Sequence, residues 1–523
     1  MEKKVLRWNF VFQYGWVLTN MFNSILLLPL YVKNIDSTTL GVWLATSSVL
    51  NWMTLADPGV GEVLQQNIAE FLGRKQYGEI SRSIGSGFVA SGIIVMVAIL
   101  FGFGCFFFIG NIINKDITQY PHLAAALMIS VIATGMSLVS FTLSGINQGL
   151  HNAANVAISS LAANFMFLFV NLAFLFLGFG VMSIAIANLA RALFINGYNI
   201  VSMLKLLKRE DIPIIWDKTH FKRFIKIFSF TSASKIISGL SYSVDMLVLA
   251  RFIPPSLITV YEINKRPINL STTLVGRHSV ALMPLVSHAV GAGNKELIVD
   301  LIYKQFKFYS YASIFLCLMF VLTYFNLISL WTGPDKYIGN AMPNGTLILY
   351  LLIVFNFLNL ITYFMSNMGY ALGDIKKNSQ FNIVRNLIYG VLLYFAARFY
   401  GILGTVVIAM LTMLVADFFY FPYKVYRLGY FSGLMIRKSL TLWAIIIPVS
   451  LLVIWGCWEV TDNLLAPTMY FSKLMIDSVV FSIFFLSFLL IIDKEVRQML
   501  MEWKVKLLNI LPSRKLKAAE ASN

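Results

Sequence analysis

Charged residues are scarce in this 523-residue chain. Asp, Glu, Lys and Arg together make up 12% of the sequence, whereas hydrophobic residues make up 58% and the mean hydropathy is +0.75. Soluble domains carry about a quarter charged residues, so an ordinary soluble protein is excluded. Apolar runs of about 20 residues, each long enough to cross a bilayer, recur along the whole length.

Cysteine and histidine are also scarce. The three cysteines, Cys105, Cys317 and Cys457, each stand alone in an apolar run, which excludes a disulfide framework and metal-ligand spacing. The five histidines form no metal-ligand pattern either. We therefore predict no metal site and no cofactor, and we find no nucleotide-binding loop.

Fourteen apolar spans predict an all-α polytopic membrane protein. Their approximate bounds are 10–32, 40–57, 87–109, 122–143, 155–177, 180–201, 227–250, 256–285, 306–331, 344–368, 380–398, 401–421, 440–458 and 474–492. An even number of spans places both termini on one side. The basic N-terminus is not expected to be a removable signal, because no small-residue cleavage site follows it.

Lys and Arg are distributed unevenly between the two faces. If both termini are cytoplasmic, 29 of the 41 bases fall on the cytoplasmic face, 6 on the outer face and 6 inside spans. Cytoplasmic loops carry an excess of Lys and Arg, so both termini are predicted to be cytoplasmic. The net charge of +17 follows from this topology, and nucleic-acid binding is not expected.

Long loops are missing from the predicted outer face, where none exceeds about 15 residues. Membrane enzymes that assemble glycans need a sizeable outer loop or domain to hold catalytic groups. We therefore expect a protein that is not an enzyme.

The most charged internal segment, 205–226, is predicted to be a cytoplasmic linker between two pseudo-symmetric six-helix lobes. The N-terminal lobe is predicted at 1–204 and the C-terminal lobe at 227–430, and 431–523 adds two helices and a basic cytoplasmic tail. Gly73 and Gly291 each precede a polar turn at corresponding places, 218 residues apart, which favours a parallel repeat.

Six bases lie within the predicted spans: Arg191, Lys235, Lys265, Arg266, Arg277 and Arg385. Facing lipid, they would together cost on the order of 15–20 kcal/mol, more than a typical net stability of about 5–15 kcal/mol. They must face protein or water. The surplus over nearby acids predicts a basic, water-filled cavity, more basic in the second lobe, although each base alone could be a structural ion pair.

Four acids lie within or near the spans: Asp57, Asp245, Glu262 and Asp417. Glu262 precedes Arg266 by four residues, a spacing that favours an ion pair, and Asp417 is expected to reach the membrane interface. Asn20 and Asn356 lie on polar stripes of spans one and ten. Such stripes either line a cavity or form interhelical hydrogen bonds.

The step Asp57-Pro58-Gly59 interrupts a helical pattern that then resumes. Pro58 removes a backbone donor and Gly59 loosens the turn, which predicts either a hinge or a simple helix end. Pro267, in span eight, is a further candidate hinge.

Three segments resemble bacterial polysaccharide flippases. They are DPGVGEVLQQNIAEFLGRKQYGE (57–79), the glycine-rich turn SGINQGLHN (144–152) and LMPLVSHAVGAGNKE (282–296). These O-antigen flippase-like proteins belong to the multidrug/oligosaccharidyl-lipid/polysaccharide (MOP) exporter superfamily, and the resemblance covers roughly residues 5–430.

The resemblance implies translocation of an undecaprenyl-diphosphate-linked oligosaccharide across the bacterial inner membrane by alternating access, for cell-surface polysaccharide such as lipopolysaccharide. A proton or Na⁺ gradient would drive it, with Asp57, Asp245 and Glu262 as coupling candidates. Arg guanidinium matches phosphate geometry, so the six bases, with Asn20 and Asn356, are the substrate-binding candidates. Membrane lipids and other polysaccharide-assembly proteins are the expected partners.

Two alternatives stay open. A MATE-like ion-coupled exporter of multidrug or small-solute type would share the fold, although cation exporters should have acid-rich lumens. A non-transporting membrane scaffold would leave the buried bases unexplained.

Overall fold

The computed structural model describes residues 2–55, 57, 59–222, 244–291, 293–372 and 375–498. These residues form helices joined by short connections, with no strand among them. Nine of the described helices are long and apolar enough to cross a membrane by length and composition. The predicted all-α polytopic fold class is confirmed.

The first half contains eight helices. They are α1 (Glu2–Asn34), α2 (Ser37–Thr46), α3 (Ser48–Thr54), α4 (Val60–Gly73), α5 (Tyr77–Ile113), α6 (Leu123–Gly149), α7 (Ala153–Phe176) and α8 (Met182–Arg209). The rest of the chain continues with α9 (described over 244–252), α10 (Pro255–Gly291), α11 (Lys295–Thr332), α12 (Ile338–Ala341), α13 (Gly345–Ala371), α14 (Ile375–Thr412), α15 (Phe419–Arg427), α16 (Gly433–Leu464) and α17 (Tyr470–Ile492).

Predicted span two, 40–57, contains two helices, α2 and α3, and α4 follows directly after the interruption at Asp57. Asp57 Oδ1 accepts hydrogen bonds from the backbone N–H groups of Gly59 and Val60, both at 3.1 Å, and so caps the start of α4. Gly59 has a φ of 102°, in the left-handed region that glycine occupies without strain. The interruption is therefore a capped break inside a longer span, and its role as a hinge stays a prediction.

Predicted spans eleven and twelve lie in a run that bends sharply at Gly401. Gly401 has φ 59° and ψ −137°, which no helix contains, so α14 supplies two successive spans. A single π-helical stretch, Met413–Phe418, follows α14 and leads into α15. The predicted boundary between 398 and 401 agrees with this bend.

The two halves repeat one turn geometry. α4 ends at Gly73 and α10 ends at Gly291, and two residues later Lys75 and Gly293 have φ of 57° and 68°. The next long helix starts two residues after that in both halves. By contrast, the predicted glycine-rich turn at 144–152 is wrong in its first part. Gly145 lies inside α6, where a Cβ would stand 2.1 Å from the Gly61 carbonyl oxygen.

Among the described residues, a shared buried core joins the halves at one end. At the end that the charge distribution predicts to be outer, called the outer face below, buried residues of α1, α2 and α5 share one cluster with those of α9, α10 and α13. At the opposite end, the described core residues form separate clusters in the first half and in the second. Over the described residues, the two halves thus share one core at the outer face and have separate cores at the predicted cytoplasmic face.

The C-terminal pair α16 and α17 packs on α11. Lys307, on α11, contacts Asp493 Oδ2 at 2.5 Å and Glu495 Oε2 at 2.7 Å, just beyond the end of α17. Tyr311 donates a hydrogen bond to the same Asp493 oxygen at 2.5 Å. The pair is therefore fastened to the second half, while the exact residue bounds of the two lobes stay a prediction.

Candidate functional site

The seal at the outer face is formed by α2 against α10. A Cβ at Gly41 would stand 1.8 Å from the Pro255 carbonyl oxygen, so the two backbones touch there. Thr259 Oγ1 donates to the Ser37 carbonyl oxygen at 2.7 Å. Trp331 Nε1 also donates across the halves, to the Ile25 carbonyl oxygen at 2.7 Å. Close backbone contact of this kind needs a residue without a side chain.

Two bases cross between the halves next to this seal. Lys115, after α5, donates to the carbonyl oxygens of Ala250 and, at 3.1 Å, Ile253, at the end of α9. In return, Arg251 donates to two carbonyl oxygens at the end of α5, those of Asn111 and Ile112, both at 3.0 Å. Each base satisfies carbonyls that a helix end leaves unpaired. Burial lowers the pKa of the Lys115 ammonium.

Below the seal lies a cavity of about 1220 Å³ in the first half, called the N-half cavity. Its polar wall comes from several helices and includes Asn20, Ser24, Asn51, Ser137, Gln148, Asn188 and Arg191. Aromatic side chains such as Tyr31, Trp43 and Phe167 complete it, together with aliphatic ones such as Leu27 and Leu40. An apolar cavity with a few convergent polar groups is the common form of a binding site.

Asparagines on α1 and α7 hold the wall of the N-half cavity. Asn23 Nδ2 donates to the Asn164 carbonyl oxygen at 3.2 Å, and Asn164 Nδ2 donates to Thr19 Oγ1 at 3.1 Å. Two turns of helix further on, Asn171 Nδ2 donates to the Tyr31 hydroxyl at 2.6 Å. Both explanations of the polar stripe on α1 therefore apply. Asn23 makes an interhelical bond, and Asn20 lines the cavity.

A second cavity of about 780 Å³ lies in the second half, called the C-half cavity. Two ion pairs line it. Lys265 Nζ contacts Asp245 Oδ2, and Arg385 Nη1 contacts Asp417 Oδ2. Tyr389, one helical turn after Arg385, faces the same space. Charges at membrane depth are tolerated when paired in this way.

Asp417 departs from its prediction. The sequence places it at the membrane interface, but the structure buries it at 5% exposure in the π-helical stretch, paired with Arg385. A π-turn inserts one extra residue into a helix and redirects the side chains around it. Sequence periodicity does not show such an insertion, which is why the position was misjudged.

The Arg385–Asp417 pair gives a first testable expectation. Asp417→Asn leaves the Arg385 guanidinium without its counter-charge, so we expect a loss of about 2–3 kcal/mol of stability. This is below the ~3–5 kcal/mol of fully buried pairs, because the Arg385 side chain keeps 29% exposure to the cavity. Thermal unfolding in detergent measures the change.

The double variant Arg385→Gln with Asp417→Asn should recover most of that loss, because neither charge is then left alone. As a matched control, Asp300→Asn removes the acid of the exposed Lys304–Asp300 pair and should change stability little. Equal losses in Asp417→Asn and Asp300→Asn would contradict a structural role for the buried pair.

Arg266 joins the two cavities. Its side chain lines both of them, and Nη2 donates to Ser24 Oγ at 3.1 Å, from the second half to the first. The expected Glu262–Arg266 ion pair is wrong, since no Arg266 nitrogen lies within 4 Å of a Glu262 carboxylate oxygen. Glu262 instead faces the C-half cavity. The Arg266 guanidinium thus keeps donors for another acceptor.

Charge is distributed unevenly between the cavities. Among the described residues that line the C-half cavity, three bases are matched by three acids, Asp245, Glu262 and Asp417. The described lining of the N-half cavity has two bases, Arg191 and Arg266, and no acid. Over these residues the basic surplus lies in the N-half cavity, although Arg266, counted in both cavities, comes from the second half. The expectation of a more basic second lobe stays a prediction, because Lys235 and the side chain of Arg277 lie outside the described residues.

The remaining sequence candidates lie outside the lining of the two cavities or outside the described residues. Asn356 is buried in α13 outside the lining of both cavities, and Asn359, one turn away, lines the C-half cavity. Pro267 lies inside α10, which continues through it. Lys235 and Pro58 lie outside the described residues, and so does the side chain of Arg277, although its backbone belongs to α10.

Sequence reasoning missed several lining residues. Ser24, Asn51, Tyr389 and Asn386 were not singled out. Tyr389 follows Arg385 by four residues, and this helical spacing could have identified it. Within the described part of the chain, no group of three or more His, Cys, Asp or Glu side chains is placed to hold a metal ion.

Solved structures with this helix arrangement are transporters of the MOP superfamily. An inward-facing multidrug resistance MATE family transporter matches with a TM-score of 0.63 at 15% identity, over 79% of this chain and 96% of its own. The lipid II flippase MurJ, in an inward closed conformation, matches with a TM-score of 0.63 at 15% identity, over 91% of this chain and 98% of its own.

A MOP superfamily transporter from Pyrococcus furiosus, described as having a binding pocket of reversed polarity, matches with a TM-score of 0.57 at 16% identity, over 81% of this chain and 96% of its own. No protein-family profile and no curated protein sequence matches the chain. At such low identity the likeness establishes the fold. The chain is therefore a multi-pass membrane protein with the fold shared by MATE exporters and the MurJ flippase.

Proposed function

We propose that this protein is a flippase, similar to O-antigen flippases, and not an enzyme. It moves an undecaprenyl-diphosphate-linked oligosaccharide from the cytoplasmic to the outer leaflet of the bacterial inner membrane, with both termini in the cytoplasm. The diphosphate and sugars occupy the N-half cavity, and the prenyl tail stays in the lipid between the halves.

The charge of the N-half cavity is the observation that carries this proposal. Its described lining has two guanidinium groups and no carboxylate. A guanidinium can bind phosphate oxygens through two parallel hydrogen bonds. Asn20, Asn51 and Asn188 supply amide groups for sugar hydroxyls, and Trp43 offers an aromatic surface. A volume of about 1220 Å³ is large enough for a diphosphate and several sugar rings.

Closure at one end supports alternating access. The halves are sealed at the outer face through Gly41 and Pro255, whereas their core clusters are separate at the other end. Rocking of one half against the other would open the outer seal and close the cytoplasmic side. We assign the drive to a proton or Na⁺ gradient that acts on Glu262 and Asp245 in the C-half cavity.

A MATE-like cation exporter is the second candidate, and one observation favours it. Three acids line the C-half cavity, and an organic cation could bind there. Two of these acids are already paired, Asp245 with Lys265 and Asp417 with Arg385, which leaves Glu262 as the acid without an ion pair. The acid-free N-half cavity is the larger space, so we rank the flippase first.

Reconstitution separates the two candidates. Full-length protein in vesicles should move a fluorescent undecaprenyl-diphosphate oligosaccharide between leaflets, measured by bleaching with a membrane-impermeant reductant. A monophosphate-linked analogue should bind about 10- to 150-fold more weakly, because one charged hydrogen-bonding group is lost. Vesicles with the Arg191→Ala, Arg266→Ala double variant serve as the inactive control. Efflux of an organic cation without movement of the glycan lipid would contradict the proposal.

A further inference from the structure

The first part of the predicted linker is fastened to the start of α5. Ser86 Oγ donates to the Asp217 carbonyl oxygen at 2.9 Å, and Ser81 Oγ donates to that of Pro213. A Cβ at Gly85 would stand 2.2 Å from the Ile215 carbonyl oxygen, so the segment lies directly on the helix backbone. Residues 213–217 are therefore held in an extended course along α5.

This held segment exposes three consecutive apolar side chains. Ile214, Ile215 and Trp216 are 46%, 49% and 54% exposed. Three consecutive exposed apolar side chains, one of them tryptophan, form a contiguous patch of the kind that marks a contact with a membrane or another molecule. Their neighbour Ile212 is only 4% exposed, packed among α5 and α8. The segment thus has one anchored residue and an outward apolar face.

The apolar face continues the lipid-facing stripe of α5. Gly85, which contacts residues 215 and 216, is followed at helical spacing by the exposed Val89, Ile93, Met96 and Leu100. In a multi-pass membrane protein such a stripe faces the lipid chains. Residues 214–216 therefore lie where this stripe reaches the membrane surface, a depth at which tryptophan is enriched.

Basic side chains surround the segment. Five exposed residues belong to the end of α8 and to the linker: Lys205, Lys208, Arg209, Lys218 and Lys222. The acids that face the segment, Glu79 and Asp217, both contact the His220 ring, at 3.0 and 3.3 Å. Glu210 lies 3.6 Å from Arg209, and Asp211 is an exposed acid of the same linker, so five exposed bases face two exposed acids. The exposed surplus is basic, which suits anionic lipid headgroups.

We propose that residues 205–222 form a membrane-surface anchor for the first half. Ile214, Ile215 and Trp216 enter the boundary between headgroups and acyl chains, and the five bases bind the phosphates of anionic lipids in the same leaflet. The anchor holds the first half at a constant depth, so that the second half moves against it. It does not depend on the identity of the transported substrate.

Lipid quenching tests the anchor in the full-length protein. Trp216→Cys is introduced after the three native cysteines are replaced by alanine, and the thiol is labelled with a polarity-sensitive fluorophore. Vesicles contain phosphatidylcholine alone or with phosphatidylglycerol, plus a lipid that carries a quencher at headgroup depth. Glu210→Cys, exposed in the same linker, is the matched control. Ile214→Cys repeats the measurement if the first variant does not fold.

Quenching at 216 should exceed that at 210 about threefold or more, because an anchored side chain lies ~5–10 Å deep in the membrane. Quenching at 216 should also increase with phosphatidylglycerol. Replacing the five bases by glutamine should remove the effect of phosphatidylglycerol. Equal quenching at 216 and 210, or no effect of the anionic lipid, would overturn the proposal. So would a blue-shifted label in lipid-free detergent that depends on protein concentration, because a second copy would then cover the patch.

Discussion

Gly41→Leu is expected to abolish transport while the protein still inserts and folds. Even a Cβ at position 41 would stand 1.8 Å from the Pro255 carbonyl oxygen and 2.9 Å from Thr259 Oγ1. The first obstacle is backbone, so α2 can accommodate leucine only by separating from α10. Overpacking typically costs about 1–3 kcal/mol, and at the upper end this shifts a two-state equilibrium by more than 100-fold.

Two measurements check the effect of Gly41→Leu. Transport in vesicles should fall close to background. In addition, Thr259→Cys, which is buried at the seal, should become reactive toward an impermeant thiol reagent added from the outer side. Gly92→Leu is the matched control, because a Cβ at Gly92 meets no atom within 4 Å. Normal transport with Thr259→Cys still protected would show that the seal does not need Gly41.

Arg266→Ala is expected to reduce transport about 10- to 150-fold, the equivalent of 1.5–3 kcal/mol for a lost charged partner of phosphate. Arg266 is the base that lines both cavities, and its bond to Ser24 places it between the halves. Arg266→Lys should recover part of the activity, because lysine keeps the charge but loses the fork of paired donors. Initial rates with the glycan lipid, normalised to reconstituted protein, provide the measurement.

The control for Arg266→Ala is Arg398→Ala. Arg398 is an exposed arginine of α14 that lies outside the lining of both cavities. Arg398→Ala should leave transport unchanged. If Arg266 only neutralised Glu262, the double variant Glu262→Gln with Arg266→Gln would restore activity. Because the two side chains form no ion pair, we expect no restoration. Full activity of Arg266→Ala would remove this residue from the substrate path.

Predictions from the sequence succeeded where a property is local. The Gly401 bend between spans eleven and twelve was anticipated, because a pattern of apolar runs and breakers reports its own boundaries. The sequence also indicated that a base inside a span could form a structural ion pair, because isolated charges inside the membrane must find partners. Lys265 forms such a pair with Asp245. The turns at Gly73 and Gly291 agree with the repeat that spacing suggested.

Predictions failed where the answer depends on which helices meet. Asn356 and Asn359 lie on the same helix, and only the packing of α13 determines that the second lines a cavity. The Glu262–Arg266 spacing permits an ion pair, yet Ser24, 242 residues away, takes the guanidinium instead. Spacing along a helix restricts neighbours on that helix, but it contains no information about the opposite wall.

The sequence by itself determined that this protein is an all-α multi-pass membrane protein with basic residues inside its spans. Hydrophobic length and the cost of buried charge depend on composition and order alone. Only the tertiary structure decided where the unpaired positive charge lies. Asp417 reaches Arg385 through a π-turn, so that three acids match three bases in the described lining of the C-half cavity, whereas Arg191 and the shared Arg266 meet no acid in the described lining of the N-half cavity. Net charge in a cavity is a sum over several helices, and the fold alone determines which residues enter that sum.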